Sequence, residues 1–93
     1  MTYYILTLHL HPSIPSVVRV LEGEVAGNST LLEGVLILMR SDKHVSELLI
    51  VDDDIRAGYL LISEKVELRT TKKLFSKIGS DTEIRIIPIS HGG

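Results

Sequence analysis

The four residues Thr30-Leu31-Leu32-Glu33 most restrict the folds open to this chain. A hydroxyl at a helix N-cap and a carboxylate three residues later satisfy each other's backbone N–H groups, so the pattern marks where a helix begins. Behind it, Leu31, Leu32, Val35, Leu36, Leu38 and Met39 fall at the spacing of one buried helical face. This predicts a helix over about 31–42, ended by Ser41-Asp42-Lys43. Gly34 inside it costs about 1 kcal/mol against alanine and is expected to let the helix approach its neighbour closely. One amphipathic helix in 93 residues needs one apolar surface opposite it.

The rest of the chain supplies that surface as strands. Tyr4, Leu6, Leu8 and Leu10 share one face at period two, against Tyr3, Ile5, Thr7, His9 and His11 on the other. The apolar start of this strand predicts an inner position in the sheet. Pro12 to Pro15 form a turn, and residues 16–26 return as a second strand. Its alternation slips near Leu21, and Gly23 comes next, which predicts a bulge or bend. Residues 46–51 read as a short apolar strand and 52–58 as a polar loop. Two short strands, 59–63 and 66–69, join tightly at Glu64-Lys65. Residues 71–79 read as a helical turn or 3₁₀ segment closed by Gly79. A last strand, 82–89, carries Ile84, Ile86, Ile87 and Ile89. The order predicts an α+β domain, a mixed sheet with one main helix packed across one face, and a right-handed crossover between parallel strands.

Composition narrows the chemistry. Ile, Leu and Val number 33 and aromatics only four, so the core is aliphatic and large enough to fold alone. The chain has no cysteine, which excludes disulfides, zinc fingers and a thiol nucleophile of its own. Ten Lys and Arg against 12 Asp and Glu, without a basic stripe, argue against direct nucleic-acid binding. The longest unbroken apolar run, 35–39, is far short of the roughly 20 residues that span a bilayer. With no signal-peptide pattern at the N-terminus, a cytoplasmic protein is expected. No nucleophile–base pair or phosphate loop supports a hydrolase or kinase.

The tail carries the chemical signal. After the last strand come Ser90, His91, Gly92 and Gly93. A strand ending in Gly-Gly presents a carboxylate on a stalk without side chains, able to enter a narrow channel and adopt backbone angles closed to other residues. Attack of that carboxylate on the α-phosphate of ATP gives an acyl-adenylate, from which a sulfur or amine nucleophile displaces AMP. The chain itself needs no catalytic group for this. A frayed terminus is the plain alternative.

The tail Ile89-Ser90-His91-Gly92-Gly93 resembles the end of the ubiquitin-related modifiers. Upstream, Asp52-Asp53-Asp54-Ile55-Arg56-Ala57-Gly58, with Leu61-Ile62 beyond it, is similar to the family's Asp-Asp-x-Ile-Arg-x-Gly segment and the Leu-Ile that follows it. Val66-Glu67-Leu68 stands where the family has an aromatic residue before Glu-Leu, so Val66 is a departure. The likeness is clear over 47–93; before that it rests on element order. The resemblance implies a ubiquitin-like β-grasp domain over 1–89 and a flexible tail over 90–93. It implies a carrier rather than an enzyme: Gly93 is adenylated, then thiocarboxylated for tRNA thiolation or joined to lysines of target proteins. It further implies an activating enzyme of the ubiquitin type that uses ATP-Mg and grips Ile89, Ser90, His91 and Gly92, a sulfurtransferase, and a link to the proteasome. No bound cofactor, catalytic residue or metal is expected, and the default state is a monomer. The small sulfur-carrying subunit of molybdopterin synthase, to which Pro88 near the tail is similar, is the neighbouring reading. A β-grasp binding module with an inert tail is the third.

Other candidates are weaker. His9 and His11 stand about 6.6–6.8 Å apart along one strand face, but no third metal ligand is assignable. Asp52, Asp53 and Asp54 lack calcium-loop spacing and read as a solvated loop shaped by Arg56 and Gly58. Lys43, Lys65, Lys72, Lys73 and Lys77 are conjugate acceptors in principle and solubilising lysines by default.

Overall fold

The computed structural model describes residues 1–89. Five strands form one mixed sheet: β1 (Tyr3–Leu10), β2 (Val20–Ala26), β5 (Tyr59–Ser63), β6 (Val66–Glu67) and β7 (Thr82–Pro88). Their spatial order is β2-β1-β7-β5-β6. β1 runs antiparallel to β2 and parallel to β7, and β7 runs antiparallel to β5. The expected inner place of the first strand is observed. Helix α1 (Leu31–Arg40) lies across one face, with α2 (Lys43–Leu49) and a separate hairpin of β3 (Ile50–Val51) and β4 (Asp54–Ile55) beside it.

The capping box is complete. The Thr30 hydroxyl accepts from the Glu33 N–H at 3.1 Å, and the Glu33 carboxylate accepts from the Thr30 N–H at 2.9 Å. The backbone N–H of Thr30, then its hydroxyl, hold the Glu33 carboxyl below its ordinary pKa. Thr30→Ala is expected to lower stability by about 1 kcal/mol, read as a shift in the urea midpoint at unchanged slope.

The core lies between the sheet and the helices. Leu6, Leu8 and Leu10 of β1, Val25, Leu61, Ile84 and Ile86 face Val35, Leu38, Met39, Val45 and Leu49, all buried. A methyl group added at Gly34 would sit 3.1 Å from Leu6 and from Val25, so this glycine does permit close approach of α1 to the sheet.

Several expectations need correction. The second strand begins at Val20 rather than 16. Arg19 instead ties the loop before it, donating to the carbonyls of His11, Ile14 and Ser16. The predicted bulge is absent: β1 and β2 pair in unbroken register from Tyr3↔Ala26 to His9↔Val20. Gly23 instead makes room for Leu38, whose methyl would lie 2.8 Å from a Cβ there. Residues 46–51 are mostly helix. Ser41 closes α1 and Asp42 caps α2, its carboxylate accepting from the Val45 N–H at 3.0 Å. Val45 and Leu49, four apart, are the buried pair of that helix. The strand expected over 66–69 stops at Glu67, and the 3₁₀ segment spans only Lys73–Phe75, ending before Gly79.

Candidate functional site

Ile89 is the one expected tail residue among the described residues; Ser90, His91, Gly92 and Gly93 lie outside them. It stands one residue past β7, 41% exposed. Its N–H donates to the Gly58 carbonyl at 2.7 Å, so the chain leaving β7 is fastened to the loop that precedes β5. Gly58 has φ +98°, a backbone state that a side chain strains. The ladder below it pairs Tyr59 with Pro88 and Leu60 with Ile87.

The acidic segment builds this root. Asp52 and Asp53 both adopt the left-handed region, φ +52° and +58°, and form the two-residue turn between β3 and β4. Asp53 pairs with Arg40 across to α1. Ile55 is buried. Arg56 closes the C-terminal end of α2: its backbone N–H donates to Leu49 O at 2.7 Å and its guanidinium to Leu48 O at 3.1 Å. Arg69 in turn donates to the carbonyls of Ile55 and Arg56, both at 3.0 Å. The segment is therefore structural as well as solvated, and Arg56 and Gly58 shape it as expected. The bonding role of Arg69 has no local signal, because its partners lie 13 and 14 residues away.

Glu67 fixes the far edge of the same region. Its carboxylate accepts from the Leu61 N–H at 2.9 Å and the Thr70 N–H at 2.7 Å. Partial burial pushes the Glu67 carboxyl up, but the N–H groups of Thr70, Leu61 and Arg69 together outweigh it, and its pKa lies below the ordinary value. A lowered folded pKa contributes stability that is present above the unfolded value and lost as pH falls through the folded one. Glu67→Gln is therefore expected to flatten the loss of Tm between pH 7 and about pH 3, a range that brackets carboxylate titration. Thermal unfolding across that range checks it.

The sheet face opposite the helices is open. Ile5, Thr7, His9, Glu22, Ile62, Glu83 and Arg85 line a depression of about 800 Å³ there. Its inner polar group is satisfied: the Thr7 hydroxyl donates to Glu22 at 2.9 Å. His9 and His11 do not act together. His9 meets Glu83 at 2.9 Å, while His11 bonds Ser13 in the turn at 2.8 Å. Among the described residues no cluster of three or more His, Asp or Glu side chains is arranged to hold a metal ion, and no helix is long and apolar enough to cross a membrane. The parity of β7 puts Ile87 and Ile89 on this open face, opposite Leu60, so an apolar strip leads to the root. Strand alternation contains that strip; the pairing of β5 with β7 that completes it has no local signal.

No protein-family model matches the chain, and no curated protein sequence matches it. Solved structures do. Small archaeal modifier protein 1 (SAMP1) from Methanosarcina acetivorans superposes with a TM-score of 0.72 at 13% identity, covering 100% of both chains. SAMP1 from Haloferax volcanii gives 0.71 at 13% identity over 96% of this chain and 99% of that one. Urm1 from Trypanosoma brucei gives 0.70 at 15% identity over 100% and 99%. At such identities the likeness speaks to the fold, which is the ubiquitin-like β-grasp.

Proposed function

We propose that this β-grasp chain is a protein modifier and sulfur carrier of the ubiquitin-related type, acting through the carboxylate of Gly93. The observation that carries the reading is a modifier-like fold whose last strand runs directly into Ser90-His91-Gly92-Gly93. A ubiquitin-activating-type enzyme with ATP-Mg adenylates Gly93 and releases pyrophosphate. The persulfide of a sulfurtransferase then displaces AMP to give an acyl disulfide, and a thiol reductant cleaves its S–S bond to leave the thiocarboxylate for tRNA thiolation and a disulfide of the reductant. A target-protein lysine gives an isopeptide instead, which links the chain to the proteasome. Gly92 is the narrow stalk, and Ile89, Ser90 and His91 are the grip. The strip of Leu60, Ile87 and Ile89 supports this division of labour, since an enzyme holding the tail meets an apolar surface at its root. The cytoplasm, where ATP and tRNA are at hand, is the setting.

Mass spectrometry of the tryptic fragment after Arg85, Ile86 to Gly93, tests the reading. Protein taken from the source cell is expected to show a C-terminal thiocarboxylate, or this fragment joined to lysines of other proteins. Free acid alone, under oxidative stress and proteasome inhibition as well, would return the chain to a binding module with an inert tail. A thiocarboxylate confined to a stable complex with one larger subunit, without conjugates, would favour the molybdopterin synthase reading, to which Pro88 also points.

A further inference from the structure

The segment around the 3₁₀ turn displays an aromatic ring that its own fold leaves uncovered. Leu74 is buried and its N–H donates to Leu68 O at 3.2 Å; Ile78 is buried and its N–H donates to Ser29 O at 3.0 Å. Between these anchors Phe75, the chain's single phenylalanine, is 68% exposed. Lys72, Lys73 and Lys77 flank it, all exposed. Among the described residues no lysine lies within ion-pair distance of a carboxylate. The fold thus holds out an aromatic side chain among three uncompensated ammonium groups.

Next to it lies the complementary surface. The open-face depression has Ile5 and Ile62 among its lining, with the carboxylates of Glu22, Glu64, Asp81 and Glu83 against the positive Arg85 and the imidazole of His9. Lys73 and Lys77 line a smaller recess that shares Ser63, Glu64, Ser80 and Thr82 with this depression. One rim therefore separates the basic knuckle from the acidic hollow.

We propose that the chain pairs with a second copy of itself across this rim. Phe75 of each copy enters the hollow of the other, and its lysines meet Glu64, Asp81 and Glu83. Both halves of the interface are on one chain and opposite in charge, and their adjacency lets a two-fold axis use each twice and close the assembly. An aromatic anchor buried in a pocket with a polar rim is a recurrent centre of such a contact. The rim is at the Thr82 end of β7, about 20 Å from the root at Pro88. The hollow ends at Arg85, about 10 Å short of Pro88, so pairing leaves Ile89 uncovered and stands apart from the reading of the tail. It revises the monomer expected from the sequence.

Sedimentation of the full chain, at up to about 1 mM protein, tests it. A dimer is expected at about 50 mM salt, weakening at about 500 mM as the charges are screened. Phe75→Ala is expected to raise the dissociation constant at least about tenfold. The charge reversals K72E/K73E and E64K/E83K should each be monomeric alone and pair when mixed, because each knuckle then faces a hollow of opposite sign. A parent chain that stays monomeric at low salt overturns the proposal. So does a Phe75→Ala dimer as tight as the parent, or a mixture of folded reversal variants that stays monomeric.

Discussion

Deletion of Gly92 and Gly93 is expected to abolish adenylation, read as ATP–pyrophosphate exchange by the activating enzyme, while Tm stays within about 2 °C of the parent. The two halves of this expectation rest on different parts of the chain. The buried side chains run from Leu6 to Ile86, so the body owes its packing to residues well before the deletion. The proposed activity rests on the carboxylate of Gly93. Shortening the chain by two residues leaves His91 as the terminal residue, with an imidazole where the stalk must be bare and a reach reduced by about 7 Å. Adding one residue after Gly93 should have the same effect, because the reacting carboxylate then sits too far along the channel. Activation of the extended chain without trimming would refute the assignment of Gly93.

The largest effect on stability is expected at the centre of β1. Leu8 is fully buried, paired with Leu21 on one side and Ile84 on the other, in the sheet on which α1 rests. Leu8→Ala removes the methyl groups of a site walled by two neighbouring strands, which limits how far the surroundings collapse into the space. The cost should be about 3–4 kcal/mol. For a domain of this size that corresponds to a fall in Tm of about 15–30 °C, a large share of a total stability of about 5–10 kcal/mol as small domains run. Ile37→Ala, on the solvent face of α1 at 57% exposure, is the control and should change stability several-fold less. Calorimetry of the two variants side by side separates lost packing from altered helix propensity.

How much is legible in the sequence depends on the range of the interactions involved. The Thr30 cap, the alternation of β1 and the role of Gly34 are local or periodic signals, and each appears as expected. Helix α2 is not of that kind. Seven residues with one buried i, i+4 pair look like a short apolar strand until a capping residue is recognised, and Asp42 reads equally well as the end of α1. The slip at Leu21 suggests a bulge because a glycine in a strand has two uses, and here the space is needed by Leu38 on another element. At the tail root the segment around Asp52–Gly58 is identifiable as a unit, but its purpose is not. That purpose depends on the ends of α2, on Arg69 and on Ile89, which meet it only in three dimensions.

The order of strands has a consequence for when this molecule comes into being. β7, last of the elements in sequence, lies in the middle of the sheet and pairs with β1 on one side and β5 on the other. A growing polypeptide that has not yet produced Ile84 and Ile86 lacks the middle of its sheet, and its first and fifth strands have nothing to join them. Such distant pairing slows folding, since the loop must close before the contact rewards it. Synthesis and folding are thereby coupled: the body has every strand of its sheet only once β7 has been made.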